Sequence, residues 1–402
     1  LKRLSYSCLM RDIDMETRRH KMNHRFAGTR CLHIGMVVDA YENTKNGASI
    51  STKRFVDLLR KVHNVTVLTT GEPAPGKIVF RQFYVPLASR IMKRMKAPMA
   101  VPQRKILKKV IRGLDILHVQ FPFYLGVKAI RIARKAGVPV VSTFHIQAEH
   151  LAMNAGIKSR KFIRLCYHLW LKHVYNKSDI VICPSRFAQE ELTRYGLTAK
   201  SVIISNGLLP IYRPLKVDRE SPLRDKFVIL SVGRYAPEKR HDMIITAVHD
   251  SWHKDRIQLI LIGDGPRKEK LQSFGKILPN PPLFYTLSSE ELVYFYNMAD
   301  LYIHAAVIEV ECMTVLEAMG CGLPSLIADS AMSATPQFAL DDRFLFECDN
   351  HLHLTSRIDY WITHPEELEK TRKRYHQLSE NYRIENSYDR LTEVYDSLIN
   401  PS

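Results

Sequence analysis

Short apolar runs separated by helical stretches, in a pattern that stops midway and starts again, constrain this chain most. Cys31–Val38 (CLHIGMVV) reads as a short buried strand, followed by a helix over about Ile50–Lys61. Asn64–Thr70, Leu114–Gln120, Pro139–Phe144 and Ile180–Cys183 read as further strands with helical stretches between them. Alternation of this kind implies a parallel, doubly wound sheet. After a stretch rich in Gly and Pro, Asn206–Pro214, the pattern restarts with Phe227–Val232, Gln258–Ile262, Leu283–Tyr285, Leu301–Ile303 and Pro324–Ala328. The expected organisation is therefore α/β throughout. Residues 30–205 form one Rossmann-like domain and 206–378 a second, with 1–29 as a flexible extension. Tyr382, Tyr388, Leu391, Val394, Tyr395 and Leu398 recur at helical spacing, so 379–402 reads as an amphipathic helix that closes back on the first domain. Ligands of doubly wound sheets sit beyond the carboxyl ends of the strands, which places the site in the cleft between the two halves.

The composition supports two cores, since 46% of the 402 residues are hydrophobic. The seven cysteines are scattered, without a Cys-x-x-Cys pair, which argues against a disulfide framework or a zinc site and for a reducing compartment. No apolar run approaches the roughly 18–20 residues of a membrane span, and the polar, basic N-terminus has no apolar signal-peptide core. The net charge of +18 favours a polyanionic partner: nucleic acid, an anionic membrane or a phosphorylated substrate.

In the second half, Gly233-Arg234 ends a strand and Glu238-Lys239 follows. An Arg fork and a mobile Lys suit two phosphates, and equally suit two surface cations on a loop. Ile262-Gly-Asp-Gly-Pro266 offers glycines for close approach to a ligand, or a plain turn. The strongest constellation is Glu309-Val-Glu-Cys-Met-Thr-Val-Leu-Glu317, which runs from a loop into a helix near Thr314. A helix N-terminus with unpaired amides can hold phosphate. Glu309 can accept from sugar hydroxyls and Glu317 from a ribose diol, although solvated surface is the plainer reading of a lone Glu pair.

Taken together, Gly233-Arg234…Glu238-Lys239, Ile262-Gly-Asp-Gly-Pro266, Ala299-Asp300 and the Glu-x7-Glu block followed by Ala318-Met-Gly-Cys-Gly-Leu-Pro324 resemble the retaining GT-B glycosyltransferases of family four, over roughly residues 31–398. The resemblance implies roles at matching positions. Gly233, Arg234, Lys239 and Gly263 would line the donor diphosphate, with amides near Thr314 and Val315. Glu309 would hold the donor sugar and Glu317 the ribose. Gly47 matches one of the family's two loop glycines, Asn46 replaces the other, and His145 matches a His that faces the donor sugar. Two departures stand out. Glu311-Cys312 replaces the usual Phe-Gly, which could alter the sugar that fits, and Arg240 replaces a frequent Gly. His118 reads as structural.

A finer likeness, in Ile327–Ser330, Ser333–Arg343 and Leu345-Phe346, is to the bacterial diacylglycerol glucosyltransferases. The basic segments fit a membrane partner. Residues 90–112 hold nine Lys/Arg and no acid, with Ile106, Leu107, Val110 and Ile111 on one helical face. Residues 158–164 form a second cluster. The alternative is an ordinary helix packed on the sheet with a solvated basic face. No nucleic-acid module is recognised.

The expectation is a retaining hexosyltransferase that moves glucose from a UDP-sugar to diacylglycerol or a related lipid. It would have no resident cofactor and no required metal, since no Asp-x-Asp motif is present. It would bind peripherally to the inner face of the plasma membrane from the cytoplasm. Rival readings are a soluble saccharide acceptor, and a sugar-nucleotide epimerase or non-catalytic binder.

Overall fold

The computed structural model describes residues 30–43, 46–83 and 99–400. The first domain is built on β1 (His33–Val37), β2 (Asn64–Thr69), β3 (Lys77–Val79), β6 (Ile116–Val119), β7 (Val140–Thr143), β8 (Ile180–Cys183) and β9 (Lys200–Ile203). They form one parallel sheet in the order β3-β2-β1-β6-β7-β8-β9. A short antiparallel pair, β4 (Arg81–Phe83) and β5 (Met99–Val101), lies outside it. The second domain orders β10 (Phe227–Val232), β11 (Ile257–Ile262), β12 (Leu283–Tyr285), β13 (Leu301–His304), β14 (Ser325–Asp329) and β15 (Leu345–Glu347) as β12-β11-β10-β13-β14-β15.

Central strands are buried from end to end, as strands covered on both faces must be. In each sheet the strand order reverses beside the first strand, between β1 and β6 and between β10 and β13. The loops leaving these strands therefore diverge and open a crevice at the carboxyl edge. In the second domain those loops carry Arg234 and Glu309. In the first they lead to Gly47 and Gln120.

The helices that matter for the site are α1 (Gly47–Leu59), α2 (Arg104–Ile111), α3 (Tyr124–Ala136), α4 (Ala148–Ala155), α5 (Arg160–His173), α6 (Ser289–Met298), α7 (Met313–Gly320) and α8 (Ile384–Ile399). Asn46 caps α1, its side chain accepting from the Ala48 amide, and a Ser288/Glu291 capping box starts α6. Tyr388, Leu391, Val394 and Tyr395 of α8 share one buried cluster with Ile34, Met36 and Ile116 of the first sheet. The chain crosses between the domains twice, and the crossings pair. Leu208 N donates to Tyr382 O at 2.7 Å, and Ile384 N to Leu208 O at 3.0 Å. Gly207, at φ +82°, lies so close to Ile384 that a Cβ would meet it at 2.7 Å.

The structure corrects the reading of α2 as a membrane-surface helix. Leu107 and Ile111 are fully buried in the first-domain core, Val110 is half-buried against it, and only Ile106 is exposed. The apolar face is used by the sheet, so only the basic face meets solvent. The rest of that basic segment, 90–98, lies outside the described residues.

Candidate active site

Past the end of β10, the stem of Lys239 lies over Gly233, 3.8 Å from where a Cβ would stand. Its ammonium is hydrogen-bonded to the Glu309 carboxylate. Burial favours the neutral form of Glu309, but Lys239 and His304 outweigh it and hold this carboxyl down at about 2. The Lys239 ammonium is raised in turn. Burial lowers it, but Glu309 and Cys312 more than compensate. Arg234 donates to Glu238 at 2.8 Å and to Asn154 of α4 at 3.1 Å. Glu238 also meets His150 of α4 at 3.1 Å. Burial pushes the Glu238 carboxyl up, while His150 and Arg234 pull it well below the usual carboxylate range. Both cations expected at a diphosphate therefore sit beside carboxylates, and Glu238, which sequence reasoning leaves without a role, is the buried anion under Arg234.

The loop from β13 to α7 is anchored on three sides. Val307 N donates to Glu238 O at 2.9 Å, Ala334 N to Glu309 O at 2.8 Å, and Ser185 Oγ of the first domain to Val310 O at 2.5 Å. This fixes Glu309 just ahead of the α7 N-terminus. The first α7 amide to find a ladder partner is Leu316, on Cys312 O, and the Cys312 side chain caps nothing. The amides of Met313, Thr314 and Val315 thus stay out of the ladder, as the first amides of a helix do. Glu317, one turn in, accepts from Arg54 of α1 at 2.9 Å and from the Tyr296 hydroxyl at 3.3 Å.

Glu311 turns toward the crossover segment at Asn206 and makes no hydrogen bond to Lys239 or Glu309. Its Oε2 accepts from Asn206 N at 2.8 Å and Asn206 Nδ2 at 2.7 Å, and Ser51 of α1 donates to Asn206 Oδ1 at 2.7 Å. Burial pushes the Glu311 carboxyl up to about 7 against these hydrogen bonds. The requirement for glycine at 263 also differs in origin from the expectation of ligand approach. At φ +150° a Cβ there would stand 2.0 Å from Gly233 O, so the two loops touch backbone to backbone. Arg240 takes the left-handed conformation at φ +52° where the family often has Gly, and is tied to Asp349 at 2.7 Å.

Across the cleft, Gly47 stands opposite Met313 of α7, and a Cβ on Gly47 would lie 3.3 Å from the Met313 Cε. His145 Nε2 meets Gln120 Oε1 at 2.8 Å, and the Thr52 hydroxyl, which donates to Ala48 O at 2.7 Å, lies 3.3 Å from the same oxygen. With the Gln120 amide in this orientation Oε1 accepts, and the matching His145 tautomer carries its proton on Nε2. Burial lowers His145 to about 4. His118 is bracketed by Tyr395 of α8 and Thr143, each at 2.7 Å, and burial, helped by His145, lowers it to about 3. It ties α8 to the sheet. Ser51, Thr52, Gln120, Thr143, His145 and Asn206 line a recess here.

Among the described residues, His304, Glu309 and Cys312 could offer metal ligands, with atoms within 4.8 Å of one another. Lys239 already engages Glu309 there, and a dication would have to displace its ammonium. Burial lowers His304, but Cys312 and Glu309 carry it up to about 9. Sequence reasoning misses Arg54, Asn154, His150 and Gln120. Each acts on a residue far away in the chain, and no local motif marks such a partner.

Residues 45–208 match the Glycosyltransferase Family 4 domain and 216–382 the Glycosyl transferases group 1 domain. A GDP-mannose-dependent alpha-mannosyltransferase of Mycolicibacterium smegmatis is 28% identical over 74% of this chain and 80% of its own length. The alpha-monoglucosyldiacylglycerol synthase of Streptococcus pneumoniae is 26% identical over 73% of this chain and 70% of its own. Among solved structures, HepE of Anabaena in complex with UDP superposes with a TM-score of 0.73 at 15% identity, over 91% of this chain and 100% of that one.

Proposed function

The chain belongs to glycosyltransferase family 4 and has its two-domain GT-B fold, and on that premise we propose that it transfers glucose from a UDP-sugar to the hydroxyl of diacylglycerol or a similar lipid. The observation that carries the transferase reading is the Lys239–Glu309 pair set against the open amide end of α7. A diphosphate fits the cation and amides, and a hexose fits the acid beside them. Arg234, Lys239 and those amides stabilise charge on the departing diphosphate. The bond from the anomeric carbon to the diphosphate oxygen breaks, and the bond to the acceptor oxygen forms on the same face. The acceptor proton passes to the diphosphate oxygen, so the product is α-linked with retention. Glu309 is held by Lys239 and supplies a sugar contact rather than a free nucleophile. His145, neutral and oriented by Gln120, faces the transferred sugar. The reaction runs without a metal, and chelator-treated enzyme keeps its turnover.

The lipid acceptor is supported by α5 rather than α2. Lys161, Arg164, Leu165, His168, Leu169 and Lys172 form one exposed stripe, with Leu165 54% and Leu169 43% exposed. Lys158 and Arg160 extend it. Each cation near an anionic leaflet contributes about 1 kcal/mol, so the stripe suffices to hold the first domain at a membrane surface. On this reading the enzyme works peripherally, at the inner face of the plasma membrane. The Streptococcus pneumoniae relative, named as a glucosyldiacylglycerol synthase, favours the same acceptor. No helix among the described residues is long and apolar enough to cross a membrane.

A donor and acceptor screen on anionic vesicles, read by mass spectrometry, tests this. UDP release and a hexosyl-diacylglycerol product are expected from UDP-glucose. Turnover of GDP-mannose instead would replace the donor assignment. UDP release onto soluble saccharide alone would remove the lipid, and acceptor-independent epimer formation would remove the transfer itself.

A further inference from the structure

Arg54 reaches across the cleft from α1 of the first domain to Glu317 on α7 of the second. Its Nη2 donates to Glu317 Oε1 at 2.9 Å, and its Nη1 lies 3.4 Å from Gly207 O, on the crossover, and 3.6 Å from Met313 Sδ. Both side chains are almost wholly buried, 9% and 7% exposed. Glu317 Oε2 accepts from the Tyr296 hydroxyl. We propose that Arg54 is a positioning residue for the nucleotide, holding Glu317 so that its carboxylate reads the ribose hydroxyls. This rests on the reading of Glu317 as the ribose carboxylate.

Valence and charge both point to this role. Each carboxylate oxygen has two acceptor directions. Arg54 occupies one on Oε1 and Tyr296 one on Oε2, and the neighbouring Tyr212 hydroxyl makes no hydrogen bond among the described residues, so one direction on each oxygen is left for a pair of neighbouring hydroxyls. Arg54 is also the cation that neutralises Glu317. Without it a buried carboxylate beside Tyr296 and Met313 would swing toward water, and the fixed acceptor pair is lost. Because Arg54 also meets Gly207 O, the carboxylate is set relative to the crossover as well as to its own helix. Nucleotide affinity is thereby linked to the contact between the domains.

The test compares UDP with 2′,3′-dideoxy-UDP by calorimetry on wild type, Arg54→Gln, Arg54→Lys and Glu317→Gln. Wild type should prefer UDP. Arg54→Gln should weaken UDP about tenfold, the scale of one lost charge-assisted contact, and leave dideoxy-UDP within about twofold. Arg54→Lys keeps the charge but not the second contact, and should retain part of the preference even if the Gln variant does not fold. Equal loss of both nucleotides, or tighter UDP binding in Arg54→Gln, overturns the inference. The first would mean a purely structural role and the second an occluding one. If Glu317→Gln keeps the preference of wild type for UDP, the ribose reading itself fails and the inference falls with it. If Glu317→Gln loses that preference while both Arg54 variants keep it, only the inference on Arg54 fails.

Discussion

On the second-domain wall of the cleft, cations and carboxylates come in pairs: Lys239 with Glu309, Arg234 with Glu238, and Glu317 with Arg54 from the far side. On the first-domain wall the equivalent positions hold His145, His118, Gln120, Thr52 and Thr143, all uncharged at neutral pH because burial keeps both imidazoles deprotonated. On the proposed function, a diphosphate at the first of these walls would meet cations already held in a low-dielectric setting and would exchange its own oxygens for carboxylate oxygens. A neutral alcohol at the second would meet hydrogen-bonding groups, and Arg54 of the same domain is paired with Glu317. The proposed function assigns the nucleotide to the charged wall and the acceptor to the neutral one.

The most direct way to break this comparison is on the charged wall. Lys239→Ala leaves Glu309 without its cation and the diphosphate without a point charge. Turnover should fall on the order of 10²–10³-fold, the loss typical of removing one transition-state donor, while the far-ultraviolet circular dichroism stays unchanged. Turnover within about threefold of wild type would show that the diphosphate does not sit at Lys239.

A smaller effect is expected at the seam. Glu311 has a folded value of about 7, above the 4.5 of an ordinary glutamate, so its favourable contribution is complete below 4.5 and is lost as pH rises to about 7. Glu311→Gln removes that titration and can still accept from Asn206. Its stability relative to wild type should rise by about 2–3 kcal/mol between pH 4.5 and 8, measured by denaturant unfolding. A difference independent of pH would mean that Glu311 stays ionised in the fold.

The smallest expected change is on the neutral wall. With values lowered to about 4 and about 3, His145 and His118 should hold neutral-imidazole carbon shifts from pH 8 down to pH 5 in nuclear magnetic resonance titrations. A midpoint near 6.5 for His145 would erase the contrast between the walls.

Most of the fold is legible in the sequence because buried parallel strands announce themselves as unbroken apolar runs. Ile180–Cys183, Phe227–Val232 and Leu283–Tyr285 have the same bounds in the sequence pattern and in the structure. Within the two large sheets, the strands that the pattern misses are β3, β9 and β15, each three or four residues long and at a sheet edge. Lys77, Lys200 and Glu347 in them break any apolar run, since an edge strand need not be covered on both faces. At the site, the motif residues Arg234, Lys239, Glu309 and Glu317 are visible because they cluster in sequence around two strand ends. Their partners are not. Arg54 lies 263 positions from Glu317, and Asn206 lies 105 from Glu311. The direction in which Glu311 points is decided by the crossover segment it meets, and the local sequence does not encode it. The basic helix α2 shows the same limit in reverse. Its amphipathic pattern is plain in the sequence, but the pattern does not say whether lipid or a protein core covers the apolar stripe.

The helix α8 is the last helix of the described chain, yet its Tyr388, Leu391, Val394 and Tyr395 complete the core of the first domain. On the ribosome, then, the half made first cannot finish first. Its apolar groove beside β1 stays open while the whole second domain emerges and folds, and it closes only when Ile384–Ile399 arrives. A nascent chain halted before Ile384 would carry a complete second sheet and an unsealed first one, and would be the form most in need of a chaperone.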